Sequence, residues 1–139
     1  MTLNKSARYA LYATLEIALA APRPATVAEI AARYRIPQTA LAKVVQQLVR
    51  TGIAVGTRGV GGGYRLAKPA TRISVLDVVS VFDPPRAPGQ CTVLDGGARC
   101  DSPDRCSVRG LFDEVDELVR NTFASVTIET LSRRTKRRR

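Results

Sequence analysis

Three cysteines in one short stretch are the residues best suited to chemistry in this chain. Cys91, Cys100 and Cys106 have the spacing C-x8-C-x5-C, and the chain has no other cysteine and no histidine. Three thiolates could hold an iron–sulfur cluster, whose usual ligands are cysteines. The absence of a Cys-x-x-Cys pair counts against a zinc ribbon or a thioredoxin-type motif. The spacing alone leaves three possibilities open: a cluster, zinc, or free thiols that can be oxidised.

Composition excludes other classes of protein. Without histidine, and with no serine or cysteine beside a recognisable general base, the chain is not expected to be an enzyme. No apolar run approaches the ~20 residues that span a bilayer, and Glu16 interrupts the N-terminal apolar stretch, which lacks a cleavage site. We therefore expect a cytoplasmic protein with no membrane segment, in which a disulfide framework has no place.

The chain has more basic than acidic residues, but many of the basic residues lie at its C-terminal end. The chain carries 22 basic and 12 acidic residues, a formal net charge of +10. Residues 133–139 hold six of the basic residues, which leaves 16 against 12. Such a run is typically a solvated, disordered end that touches phosphates without sequence preference. Charge alone is weak evidence for a nucleic-acid partner. The case for such a partner therefore depends on where the remaining basic residues lie.

Two short helices joined by a tight turn predict a helix-turn-helix. Thr26 and Glu29 form a capping box before a helix over residues 27–34. After Pro37 comes a stronger helix that ends at Gly52, with an apolar inner face at Leu41, Val44, Val45, Leu48 and Val49. Its outer face presents Gln38, Thr39 and Lys43, side chains that bond base edges or phosphates. We predict these three as DNA contacts and interpret Gln46 and Gln47 as solvated.

A glycine-rich hairpin follows the second of these helices. Strands predicted at residues 53–57 and 64–67 flank Arg58 and the loop Gly59-Val60-Gly61-Gly62-Gly63. The loop lacks the Gly-Lys-Ser/Thr ending of a P-loop and leads into a strand, whereas the dinucleotide fingerprint opens a helix. A wing that brings Arg58 and Gly59 to a narrow A·T-rich minor groove fits better. Arg65, on the second strand, completes the predicted DNA-binding set.

Further helices and a long loop complete the predicted organisation. A first helix is expected over residues 6–21 with Ser6 as its cap, and a fourth from Ser74, where Asp77 forms a capping box. Residues 86–105 have no periodicity, and a loop of that length calls for a function. Over residues 107–127 an apolar stripe with near-heptad spacing predicts a long helix that pairs with a second copy.

The predicted fold class is mainly α: a winged helix-turn-helix with a small β-hairpin wing, a cysteine-bearing loop and a long C-terminal dimerisation helix. We divide the chain into a DNA-binding domain at 1–85, a cluster-binding loop at 86–106, a dimerisation helix and following segment at 107–131, and a basic tail at 132–139.

From residue 3 to about residue 131 the chain resembles a known family. The stretch Leu3–Leu11, the stretch Arg58–Ala67 and the three-cysteine loop are similar to those of bacterial iron–sulfur-responsive regulators of the IscR, NsrR and RirA type. The resemblance implies a homodimeric winged-helix repressor or activator. It places Gln38, Thr39 and Lys43 on the recognition helix and Arg58 at the wing. It further implies a [2Fe–2S] or [4Fe–4S] cluster whose state sets the affinity for DNA.

The cluster ligands implied by the resemblance are Cys91, Cys100 and Cys106, but the chain departs from the family at the fourth. The histidine of the IscR type is replaced by Arg109, and the aspartate of the NsrR type by Arg8. Arginine stays protonated and is not an ordinary ligand. The fourth ligand is therefore expected from the partner chain, from an exogenous molecule, or from a carboxylate such as Asp95, Asp101 or Asp104. Lacking the histidine, the sequence favours [4Fe–4S] over [2Fe–2S].

The full hypothesis is a dimer that binds a pseudo-palindromic operator in double-stranded DNA, with half-sites about one helical turn apart. Ala42 stands where IscR relatives often have glutamate, so the resemblance does not carry their operator preference. Two alternatives remain: a constitutive zinc-containing DNA-binding protein, and a metal-free thiol switch.

Overall fold

The computed structural model describes residues 3–84 and 106–139. In order, the elements are α1 (Lys5–Ala20), α2 (Val27–Tyr34), α3 (Gln38–Arg50), β1 (Ala54–Thr57), β2 (Gly63–Leu66), a 3-10 turn (Ala70–Arg72), α4 (Val75–Phe82), α5 (Ser107–Ser125) and α6 (Ile128–Lys136). The predicted winged-helix class is confirmed, because α2, α3 and the β1–β2 hairpin follow one another in that order. No helix in these two ranges is both long and apolar enough to cross a membrane.

The predicted helix boundaries are largely confirmed, because local capping chemistry sets them. Both sides of the Thr26–Glu29 capping box are formed, as they are for Ser74 and Asp77. At the end of α3, Gly52 has a φ of +75° and donates to the carbonyl of Val49, while Ile53 donates to that of Leu48. This pair of bonds is a Schellman motif, for which glycine is the favoured residue.

The first helix begins one residue earlier than predicted, and Asn4, not Ser6, is its cap. The Oδ1 of Asn4 accepts from the Ala7 amide at 2.8 Å. Its Nδ2 donates to the Phe82 carbonyl at 2.6 Å, and its backbone amide donates to a carboxylate oxygen of Asp83 at 3.0 Å. Asn4 is therefore both a cap of α1 and a link to the end of α4, which no local pattern indicates.

The core lies where α1 packs against α3, α4 and α6. The α1 face that is buried carries mostly small residues, including Ala7, Ala10 and Ala13. Small side chains let the neighbouring helices approach closely. Leu41, Val45 and Leu48 of α3 are fully buried, as predicted, but Val49 is 37% exposed and lies outside the core.

The largest difference from the sequence prediction is α6. The fifth helix stops at Ser125, and residues 128–136 form a separate helix instead of a disordered basic tail. Ile128 is fully buried, and its amide donates to the carbonyl of Ile73 at 2.9 Å. The buried Ile128 thus holds this segment against the core, although many of its other residues are basic. The division of the chain into four parts stays a prediction, although α6 crosses the 131–132 boundary.

Candidate nucleic-acid interface

The recognition helix presents the predicted side chains to solvent. Gln38, Thr39 and Lys43 are all exposed. Pro37 precedes the helix and makes no side-chain cap hydrogen bond to the first-turn amides. Such amides carry the positive end of the helix dipole, which favours anions.

The wing is a short antiparallel hairpin with an exposed tip. Thr57 pairs with Gly63, and the tip between them includes Arg58, Gly59 and the fully exposed Val60. Gly59 has a φ of +97°, a conformation that L side chains rarely adopt, and its carbonyl accepts from the Gly62 amide at 3.0 Å. Glycine therefore lets the chain turn back while Arg58 stays at the surface.

A backbone ladder to the start of α2 holds the wing in place. The amide of Ala25 donates to the Tyr64 carbonyl at 2.9 Å, and the Tyr64 amide donates back at 2.7 Å. The neighbouring Gly63 lies so close to this segment that a β-carbon would meet the Ala25 carbonyl oxygen at 2.7 Å. This link was not predicted, because a single paired residue has no sequence signature.

An open cleft of about 670 Å³ lies between α3, the start of α2 and the wing. The structure brings Gln38 of the recognition helix together there with Arg58 and Gly59 of the wing. Arg50, at the end of α3, also lines the cleft and was not among the predicted residues. None of the described residues that line the cleft is acidic, which suits a polyanion.

Glu29, at the start of α2, is the nearest acidic residue in sequence to the cleft lining, and its charge is locally compensated. Its carboxylate accepts from the Thr26 amide at 2.9 Å and from Arg23 at 3.0 Å. These bonds, the Thr26 amide first, hold the pKa of Glu29 below its ordinary value.

The other predicted residues do not line this cleft. Thr39 and Lys43 lie on another side of α3, in a recess of about 340 Å³ that Ser6 and Phe82 also line. Arg65 points away from the cleft, and its Nε donates to the Pro22 carbonyl at 3.0 Å. The exposed face of α3 is thus divided between the wing side and the α1 side.

A nearly buried carboxylate braces α1 against α2 and the C-terminal segment. Glu16 accepts a hydrogen bond from the Tyr34 hydroxyl at 2.6 Å and pairs with Arg139 at 2.5 Å and Arg33 at 3.4 Å. Burial, and then the bond to Glu16, raise the pKa of Tyr34 to about 12. The sequence showed Glu16 only as an interruption of an apolar stretch.

Of the three candidate metal ligands, Cys106 alone lies in a described range. It is the cap of α5, half-buried, and its Sγ lies 3.5 Å from the Arg109 amide. Cys106 is partly exposed, so this position fits a ligand. Cys91 and Cys100 lie outside the described residues, as do Asp95, Asp101 and Asp104. The Arg109 guanidinium pairs with Asp113 at 3.4 Å and is not available as a ligand.

The long helix α5 has no buried residue in the single chain. Its apolar side chains remain exposed by 39–67% at Val108, Leu111, Phe112, Val115 and Leu118. An exposed apolar stripe of this length is typical of an interaction surface.

Known proteins of similar sequence and structure are regulators of transcription. The protein is 35% identical over 94% of its length to BadM of Rhodopseudomonas palustris, named as an HTH-type transcriptional regulator, covering 81% of that protein. It is 32% identical to the HTH-type transcriptional regulator IscR of Xenorhabdus nematophila, over 94% of this chain and 79% of IscR. CymR, the global cysteine regulator of Bacillus subtilis, has a similar fold, with a TM-score of 0.78, 23% identity, and coverage of 95% of this chain and 96% of CymR.

A family model described as an iron-dependent transcriptional regulator matches residues 3–134. These matches confirm the resemblance to IscR-type regulators and agree with the expectation that the chain is not an enzyme. The chain belongs to the Rrf2 family of transcriptional regulators.

Proposed function

We propose that this protein is a homodimeric regulator that binds a pseudo-palindromic DNA operator and responds to an iron–sulfur cluster. The observation that carries the DNA part is the cleft that joins Gln38 of the recognition helix to Arg58 of the wing, with no carboxylate among the described residues of its lining. A regulator that acts on the chromosome is expected in the cytoplasm.

In this proposal the recognition helix and the wing have different tasks. Gln38, Thr39 and Lys43 enter the major groove, where glutamine can bond adenine and lysine can bond guanine or a phosphate. Arg58, carried forward on Gly59, enters the adjacent minor groove, whose negative potential is strongest in A·T-rich sequence. Arg50, at the far end of α3, adds a contact to the sugar-phosphate backbone.

The test of the wing assignment is Arg58→Ala. We expect weaker binding to a duplex selected by the protein from a random-sequence pool, and a smaller preference for A·T-rich sequence at the wing position. The matched control is Arg120→Ala, which removes the same charge from an exposed position on α5, outside the cleft. Unchanged affinity of Arg58→Ala, or an equal loss in the control, would contradict the assignment.

The dimer is proposed through α5. Its five exposed apolar residues follow near-heptad spacing, so two copies related by a two-fold axis would cover each other's stripes. The two recognition helices would then meet half-sites about one helical turn, roughly 34 Å, apart.

The cluster is proposed on Cys91, Cys100 and Cys106. Thiolates suit iron–sulfur clusters, and Cys106, the cap of α5, is partly exposed. When bound, such a cluster supplies a redox-active and chemically labile group. Iron shortage, oxidant or nitric oxide would remove or modify it. We favour [4Fe–4S] over [2Fe–2S], with the fourth ligand from the partner chain, an exogenous molecule or one of Asp95, Asp101 and Asp104.

The test of the cluster is the iron and sulfide content and the absorption spectrum of protein purified without oxygen. We expect a brown protein, and Cys100→Ala should lose the iron and sulfide while its helical signal in circular dichroism is retained. Full iron and sulfide in Cys100→Ala would remove Cys100 from the ligand set. A colourless wild-type protein that contains zinc would instead support the zinc alternative.

A metal-free thiol switch is the second candidate function. The observation in its favour is that Cys106 is a free, partly exposed thiol in the described part of the chain. The resemblance of the whole chain in fold to CymR, a cysteine regulator, also favours a thiol switch. Oxidant-induced disulfides in metal-free protein, detected by mass spectrometry without reduction and accompanied by a change in DNA affinity, would favour this candidate.

A further inference from the structure

A third recess lies on the side of the wing away from the cleft. It has a volume of about 490 Å³ and is bounded by the end of α1, strand β2, the segment that follows it, and α6. Its floor is apolar and includes the fully buried Ile17. Three cations line it: Arg65 of β2, Lys68 just after β2, and Lys136 of α6.

The charge of this recess is net positive. All three cations are exposed. Glu129 is the one acidic residue among the described residues that line the recess. Its Oε1 accepts from Arg133 at 2.8 Å, so a neighbouring cation on α6 already compensates its charge. The bond from Arg65 Nε to the Pro22 carbonyl fixes the guanidinium at the recess instead of leaving it mobile.

The recess is separated from the cleft by a single strand. Successive side chains of a strand point to opposite faces, and in β2 Tyr64 lines the cleft while Arg65 lines the recess. A duplex that is held by α3 and the wing does not end at the wing but continues beyond it.

We propose that Arg65, Lys68 and Lys136 bind phosphates of the DNA that flanks the sequence read by the recognition helix and the wing. This inference rests on the proposed function, and it gives α6 a role in DNA binding. The three cations are exposed around an open recess instead of converging in a closed pocket, which fits an extended polyanion better than a small anion. Contacts of this kind position the protein and add affinity without adding sequence preference.

The experiment compares two duplexes and three proteins. The protein as purified first selects a duplex from a random-sequence pool. The shortest core that still binds is then compared with the same core extended by about one helical turn at each end. The proteins are the wild type, the double variant Lys68→Gln/Lys136→Gln, and the control Arg120→Gln/Arg134→Gln. The control removes the same two charges from exposed positions that do not line the recess.

For each combination of protein and duplex, the affinity is measured over a range of salt concentrations. Wild type should bind the extended duplex more tightly and with a steeper salt dependence. Each lost phosphate contact lowers the slope of log K against log salt by about 0.9, so two lysines in each protomer account for as much as about 3.6. The double variant should lose most of this gain, with Arg65 accounting for the remainder, and it should bind the short core as the wild type does.

Three results would overturn the inference: a wild-type slope in the double variant on the extended duplex, an equal loss on both duplexes, or an equal loss in the control. Failure of the wild type to select or bind any duplex core would contradict the proposed function instead. The two failures are therefore distinguishable.

Discussion

The exposed stripe of α5 makes a quantitative prediction about dimerisation. Leu118 keeps 67% of its surface exposed in the single chain, the highest value along the stripe. Full burial of a leucine side chain contributes about 1.5–3 kcal/mol relative to leaving it exposed. With two-thirds of the surface still to be covered, Leu118→Ala should remove about 1.5 kcal/mol at each site.

Two-fold symmetry doubles the effect. Each substitution in a symmetric dimer removes two leucines, so Leu118→Ala should cost about 3 kcal/mol of dimerisation free energy. At about 1.4 kcal/mol per factor of ten, this weakens the dimer about 100-fold. Alanine is the best helix former, so α5 itself should remain intact.

The measurement is the dimer dissociation constant by sedimentation equilibrium, with helix content followed by circular dichroism. The matched control is Val60→Ala, since Val60 is fully exposed at the wing tip and far along the chain from α5. A dissociation constant within about threefold of wild type, or a wild-type protein that is already monomeric, would refute the assignment of α5 as the dimer surface.

Three further predictions concern the contacts that hold the DNA-binding domain together. Asn4→Ala removes both the cap of α1 and its bond to the end of α4, and it should lower the free energy of unfolding by about 1–2 kcal/mol in urea denaturation. Gly63→Ala places a β-carbon against the carbonyl of Ala25 at a φ of +149°, so it should destabilise the wing and weaken DNA binding. Tyr34 should ionise near pH 12, because burial and its bond to Glu16 raise its pKa, and the stability that it contributes should be complete below pH 10 and lost between pH 10 and 12.

Each of these has a control. Lys5→Ala, next to Asn4 but exposed, should leave the stability nearly unchanged; an equal loss there would remove the capping argument. Gly61→Ala also has a positive φ but meets nothing within 4 Å, so it should perturb the protein less than Gly63→Ala, and the reverse order would contradict the role of the close approach. Tyr34→Phe should remove the late-ionising component from the phenolate absorbance; if that component persists, the high pKa belongs to another tyrosine.

The parts of the candidate site that lie on a single helix or strand could be predicted from the sequence. Gln38, Thr39 and Lys43 were predicted on the outer face of α3 from helical periodicity, and they are exposed there. Periodicity does not show which side of that face meets the wing. Arg50 was therefore missed.

The basic terminal segment shows a second limit of local patterns. Its basic composition predicts a solvated tail, because neighbouring like charges repel one another. In the folded chain Ile128 is buried, and Arg139 pairs with Glu16, a residue distant in sequence. Contacts between distant residues carry no period and no fixed spacing, so the basic composition did not reveal that this segment packs as α6.

The amino-acid sequence by itself determined most of the helices, the caps at Thr26, Gly52 and Ser74, and the wing, because each depends on residues within a few positions of one another. Thr26 with Glu29, and Gly52 after α3, act through bonds that close within one turn of helix. Only the tertiary structure decided that Gln38 shares a cleft with Arg58, that Arg65 faces the opposite recess, and that α6 packs against α1. The reason is that these arrangements arise when buried surfaces fit together, and that fit is a property of the packed chain as a whole.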